Sequence, residues 1–117
     1  MKLFSFSDNL DIVGDKPIKV RASIAMTAQD QEGRHGPFTK GFSPNHNFQG
    51  ADDRVFFIGQ IEVEENEWFY PGETKELYVT FLDARGLREL LTPDRTWRIG
   101  EGPRHVGTGT VITVDET

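Results

Sequence analysis

The chain has 117 residues, with 13 Lys and Arg against 19 Asp and Glu, a net charge of −6, and no cysteine. That length suits one domain with its own core, and the missing cysteines exclude a disulfide scaffold, a thiolate metal site and a cysteine nucleophile. The acidic balance argues against bulk electrostatic binding of nucleic acid, which needs a basic face.

The start of the chain is mixed, and Asp8 and Asp11 interrupt it too early for the apolar segment of a secretion signal. With no apolar run of about 18 residues and no cysteine, a cytoplasmic protein without a membrane span is expected. Residues 1–17, with Gly14 and Pro17, read as an N-terminal extension, and residues 18–114 as the domain. Ile18 to Met26 alternates apolar and polar over nine residues, the period of a half-buried strand. Gln29 to Thr39 is a loop punctuated by Gly33, Gly36 and Pro37. A strand is predicted from Phe42 to Gln49, with Pro44 marking an edge or a bulge.

Asp52-Asp53 turns the chain into a strand over 54–63, with Val55, Phe57, Ile61 and Val63 on one face and an apolar centre on both. Glu64 to Glu67 and Pro71-Gly72-Glu73 are turns around a further short stretch. Thr74 to Leu82 is a strand with Leu77, Val79 and Phe81 inward. Asp83 is placed to cap a short helix over 84–91, ended by Thr92-Pro93. Two last strands, Arg95–Ile99 and His105–Val114, flank the turn at 100–104. Six short strands joined by tight connections predict antiparallel pairing, and closure into a small all-β barrel removes their free edges. The expected core is Val20, Ile24, Phe57, Ile61, Leu77, Val79, Phe81, Trp97 and Ile112.

Catalytic and cofactor motifs fail on inspection. Gly36 to Ser43 has the spacing of a phosphate loop, but Phe42 holds the lysine position and no helix follows. Gly41-Phe42-Ser43-Pro44-Asn45 resembles a nucleophile elbow only faintly, since Pro44 lacks the N–H that an oxyanion hole requires. Gly107-Thr108-Gly109 starts a dinucleotide fingerprint without its third glycine; glycines in a terminal strand instead permit close packing. His35, His46 and His105 are not spaced as zinc ligands, and the acidic run 62–67 lacks the order of a calcium loop. No enzyme, metal, cofactor or nucleotide is therefore expected.

Two longer stretches carry a resemblance. Glu32-Gly33-Arg34-His35-Gly36-Pro37-Phe38, followed by Gly41-Phe42-Ser43-Pro44, resembles the opening of the C-terminal domain (domain III) of bacterial translation elongation factor Tu, with its pattern E-G-G-R-H-x-P-F-x-x-G-Y-x-P. Trp97 to Gly109 looks like that domain's closing motif, F-A-I-R-E-G-G-R-T-V-G-A-G, and Pro71-Gly72-Glu73 stands where the family has P-G-D. The resemblance spans about residues 18–114 and implies a six-stranded antiparallel barrel, here expected as a solitary copy without the GTPase domain.

In the family this domain touches the T-arm of aminoacyl-tRNA and the exchange factor, and packs on the GTPase domain. The resemblance carries a binding role onto Arg34, His35, Glu101 and Gly102. Pairing of the first and last long strands would place the loop after one and the turn before the other at the same barrel end. Arg34, His35, Arg104 and His105 then cluster beside Gly102, so Arg104 joins the candidate site. The chain departs from the pattern at Asp83, at Gln49 to Asp53 and at Gly100, and each departure removes positive charge or adds negative charge. A protein–protein module that mimics or competes with the family domain is thus expected, with a tRNA-backbone binder as the alternative. Its partner is a protein of the translation machinery or tRNA.

Overall fold

Nine residues of strict alternation, Ile18 to Met26, put Ile18, Val20, Ala22, Ile24 and Met26 on one buried face. The computed structural model that shows this describes residues 7–8, 11–48, 55–102 and 104–115. Along the chain it holds β1 (Ser7–Asp8), β2 (Ile18–Met26), β3 (Asn45–Asn47), β4 (Val55–Ile61), β5 (Thr74–Phe81), the one-turn helix α1 (Leu87–Leu90), β6 (Thr96–Glu101) and β7 (Arg104–Asp115). β2 pairs with β5 on one side and β7 on the other. β7 continues to β6, β6 to β3, β3 to β4, and β4 returns to β5. Six antiparallel strands thus close a barrel, with β1 added parallel to the start of β4. No described helix is long and apolar enough to cross a membrane.

The predicted strand at Phe42–Gln49 is shortened to Asn45–Asn47, and it is no edge: β4 and β6 hold it on both sides. Pro44 stands immediately before the first paired residue, where its missing N–H costs no ladder bond. Gln49, the Asp52-Asp53 turn, Arg54 and Pro103 lie outside the described residues, as do residues 1–6 and 9–10 of the extension.

The expected Asp83 cap does not form. Val13 donates its N–H to the Asp83 carbonyl at 2.8 Å, and Ile12 bridges Ala84, so residues 83–84 run beside the N-terminal segment. The helix starts only after Gly86, whose φ of 89° is left-handed, and it has no side-chain cap. The buried Asp83 carboxylate instead accepts a hydrogen bond from Arg88 Nε at 3.2 Å.

Seven of the nine expected core residues are buried; Leu77 and Ile112 are half-buried. The reason for Ile112 is a bulge. Arg21 pairs with Thr113 and Ala22 with Val111, which leaves Ile112 as the extra residue and turns Val111 inward in its place. A second irregularity opposite Ile99-Gly100 leaves Val106 unpaired and buried. Leu77, midway along β5 and opposite Ala22 of β2, is half-buried and packs against the core.

The barrel is filled by rings. Phe48 stacks on Trp97 at 5.1 Å, and Phe81 meets Trp97 and Phe48 at 6.0 Å. His46 lies among them, fully buried. Trp97 Nε1 donates to His46 Nδ1 at 2.9 Å, and His46 Nε2 lies 2.8 Å from the Gly59 carbonyl. An indole N–H only donates and a carbonyl only accepts, so His46 is the neutral tautomer with its proton on Nε2 and both nitrogens satisfied.

Gly109 pairs with Trp97 across β6 and β7, and a Cβ there would lie 2.4 Å from the indole. Bare backbone is the floor on which the indole rests. Gly109→Ala is expected to destabilise the barrel by about 1–3 kcal/mol through overpacking. Urea unfolding checks this, and an unchanged midpoint would show that the indole is free to move aside.

Candidate interaction site

Strand direction sorts the connections into two ends. The 27–44 and 62–73 connections and Gly102, between β6 and β7, share one end; the 82–95 connection lies at the other. At the first end the two long connections are clasped by an apolar pair. Phe38 and Phe69 exchange backbone hydrogen bonds at 3.0 and 2.8 Å, their rings stand 5.1 Å apart, and Phe42 stacks on Phe38 at 4.0 Å. Phe69 is fully buried.

Arg34 rests on this clasp. Its guanidinium lies 4.9 Å from the Phe42 ring centre and 5.7 Å from that of Phe38. Nε donates to Glu101 Oε1 at 2.7 Å, and Nη1 donates to the Gly36 carbonyl at 2.8 Å. Arg104 reaches from the start of β7 to donate to the Gly33 and Glu32 carbonyls, at 2.7 and 3.2 Å. Asn45 Nδ2 donates to the Gly102 carbonyl at 3.2 Å. His35 is exposed and, with Glu32, Arg104 and His105, lines an open groove of about 730 Å³.

Arg34, His35, Glu101, Gly102 and Arg104 therefore stand at one end of the barrel. Two of the three basic groups are already engaged within the chain. The Arg34 charge is matched by Glu101, and the Arg104 donors meet loop carbonyls. Among the described residues, no three His, Asp or Glu side chains gather as metal ligands.

The same end carries residues that the sequence reading passes over. Trp68 and Tyr70 are 49% and 51% exposed. Their signal is local: Phe69 turns inward to meet Phe38, so in an extended stretch its neighbours turn outward. Lys75 Nζ donates to the Trp68 carbonyl at 3.1 Å and sits 5.4 Å from the Phe69 ring centre, which steadies the strip. The connection that bears these rings, 62–73, holds Glu62, Glu64, Glu65, Glu67 and Glu73 and no basic residue. No family model matches the chain.

Proposed function

We propose that this chain is a non-catalytic binding module whose loop end docks a protein partner of the translation machinery, as a mimic or competitor of the elongation factor Tu domain that its motifs resemble. The observation that carries the reading is the pair of half-exposed rings, Trp68 and Tyr70, on an acidic connection at the same barrel end as Arg34, Glu101 and Arg104. Trp, Tyr and Arg are the residues that anchor protein interfaces. Five glutamates around the rings repel a phosphate backbone, and Glu101 already balances the Arg34 charge.

The test is capture of partners from lysate by the immobilised chain, with and without ribonuclease, followed by affinity measurement on the purified partner. Capture is expected to survive ribonuclease. Trp68→Ala is expected to weaken the complex by roughly tenfold or more, mostly through faster dissociation. Arg34→Ala weakens it less, because that change also releases Glu101. A complex lost to ribonuclease, with affinity falling by about one log unit per log unit of salt for each phosphate contacted, would replace this reading with tRNA binding.

A further inference from the structure

Four arginines of this acidic chain are matched by carboxylates. Arg21 pairs with Glu76, Arg34 with Glu101, Arg85 with Asp11 and Arg88 with Asp83. Arg104 spends its donors on loop carbonyls, which leaves Arg95 and Arg98. Neither has a carboxylate partner among the described residues, although both are half-buried.

Arg98 sits on the outer face of β6, opposite to the inward Trp97 and Ile99, in register with Thr108 of β7. Arg95 stands just before β6 and gives one terminal nitrogen to the Phe48 carbonyl at 2.6 Å. His105 lies at the far end, with Nε2 2.6 Å from the Gly107 carbonyl and 3.4 Å from Thr108 Oγ1. A groove of about 430 Å³ runs between these groups along the outside of β6. Among the described residues no Asp or Glu lines it.

We propose that this groove binds a phosphoryl group, held by the Arg98 and Arg95 guanidiniums, with the Thr108 hydroxyl and the His105 ring at its upper end. Two cations with no counter-charge among the described residues balance a phosphate dianion, and the planar fork of arginine presents paired donors to its oxygens. The Phe48 carbonyl takes one Arg95 donor and leaves the rest of that fork for a ligand. Arg98 and Thr108 rise from paired positions of β6 and β7, and the Phe48 carbonyl ties Arg95 to the wall of the groove. Burial, and then the Arg98 cation, hold the His105 pKa below its ordinary value against a smaller opposing pull from the Gly107 carbonyl. A bound anion relieves that repulsion. The ligand is a single phosphoryl group and not a nucleic acid, since the chain's net charge of −6 opposes a polyanion.

The experiment follows backbone amide shifts of Arg98 and Thr108 while inorganic phosphate, O-phosphoserine or chloride is added at matched ionic strength. Saturable shifts are expected with both phosphorylated probes and none with chloride. Tighter binding of phosphoserine identifies a monoester as the occupant, and tighter binding of phosphate identifies the free anion; either supports the site. Arg98→Gln and Arg95→Gln should each weaken binding by roughly tenfold or more, whereas Arg21→Gln on β2 should leave it unchanged. The amide spectrum of each variant reports whether the barrel is intact. Equal shifts with chloride, no saturation, or unchanged affinity in folded Arg98→Gln would overturn the proposal. So would a short RNA duplex that binds in preference to both probes and is lost with Arg98. Trp68→Ala leaves this groove untouched, so the docking end and the groove stand or fall separately.

Discussion

Phe81→Ala is expected to cost about 3–5 kcal/mol, enough to leave a small domain near or past its unfolding point. Phe81 is fully buried at the centre of the aromatic packing, 4.8 Å from His46 and 6.0 Å from Phe48 and Trp97. Its floor is Gly59, the residue it pairs with; a Cβ there would come within 2.7 Å of the ring. None of these walls can collapse into the space that alanine leaves. Backbone forms one side, and the rings on the others are held by each other and by the His46–Trp97 hydrogen bond. The cavity term therefore adds in full to the lost transfer free energy. Thermal melting should show a fall of more than about 10 °C at this chain length. A melt that does not move would remove Phe81 from the core.

The second large effect is acid sensitivity from His46. Burial depresses its pKa from 6.5 to about 4, against a smaller opposing pull from the Gly59 carbonyl. The unfolded chain takes up the proton near pH 6.5 and the folded chain only near pH 4. Between those values the unfolded state binds more protons, so stability falls as pH falls. The contribution is complete above pH 6.5 and lost by pH 4, and amounts to about 3 kcal/mol. The bond donated by Trp97 gives the loss a structural cause, because a protonated Nδ1 has no lone pair for the indole N–H.

His105, whose pKa is also lowered, adds to the slope with the same sign. Urea midpoints measured from pH 7 to pH 4 should therefore fall steeply in the parent chain. In His46→Gln they should start lower and fall much less. Parallel slopes for the two proteins would assign the acid sensitivity to other groups.

Much of the barrel is legible in the chain because most strands have one wet face. Ile18–Met26 and Thr74–Phe81 show their alternation plainly, and Phe57, Ile61 and Trp97 fall where that pattern puts them. Legibility fails where a residue's face depends on its partner strand. Ile112 is displaced by a bulge against Arg21 and Ala22, and period 2 cannot show an inserted residue. Asp83 has the chemistry of a helix cap, but its backbone is taken by Val13, some 70 residues earlier in the sequence. His46 looks like any strand histidine until Trp97 and Gly59 close around it. At the loop end, Arg34 and Glu101 can be brought near each other by strand order alone. That they pair, and that Trp68 and Tyr70 remain outside, depends on the Phe38–Phe69 clasp.

The ring is sealed by β2 against β7, where Lys19 pairs with Asp115 and Met26 with Gly107. Every other long pairing joins strands closer in sequence, and this one must wait for residues 107–115. During synthesis the nascent chain thus emerges as an open, curling sheet whose first barrel strand, β2, holds its apolar face ready for a mate still inside the ribosome. Closure of so long a loop is entropically slow. In that interval the free edge of β2, flanked by Lys19 and Arg21 on its wet face, is the part of the molecule most exposed to the wrong partner.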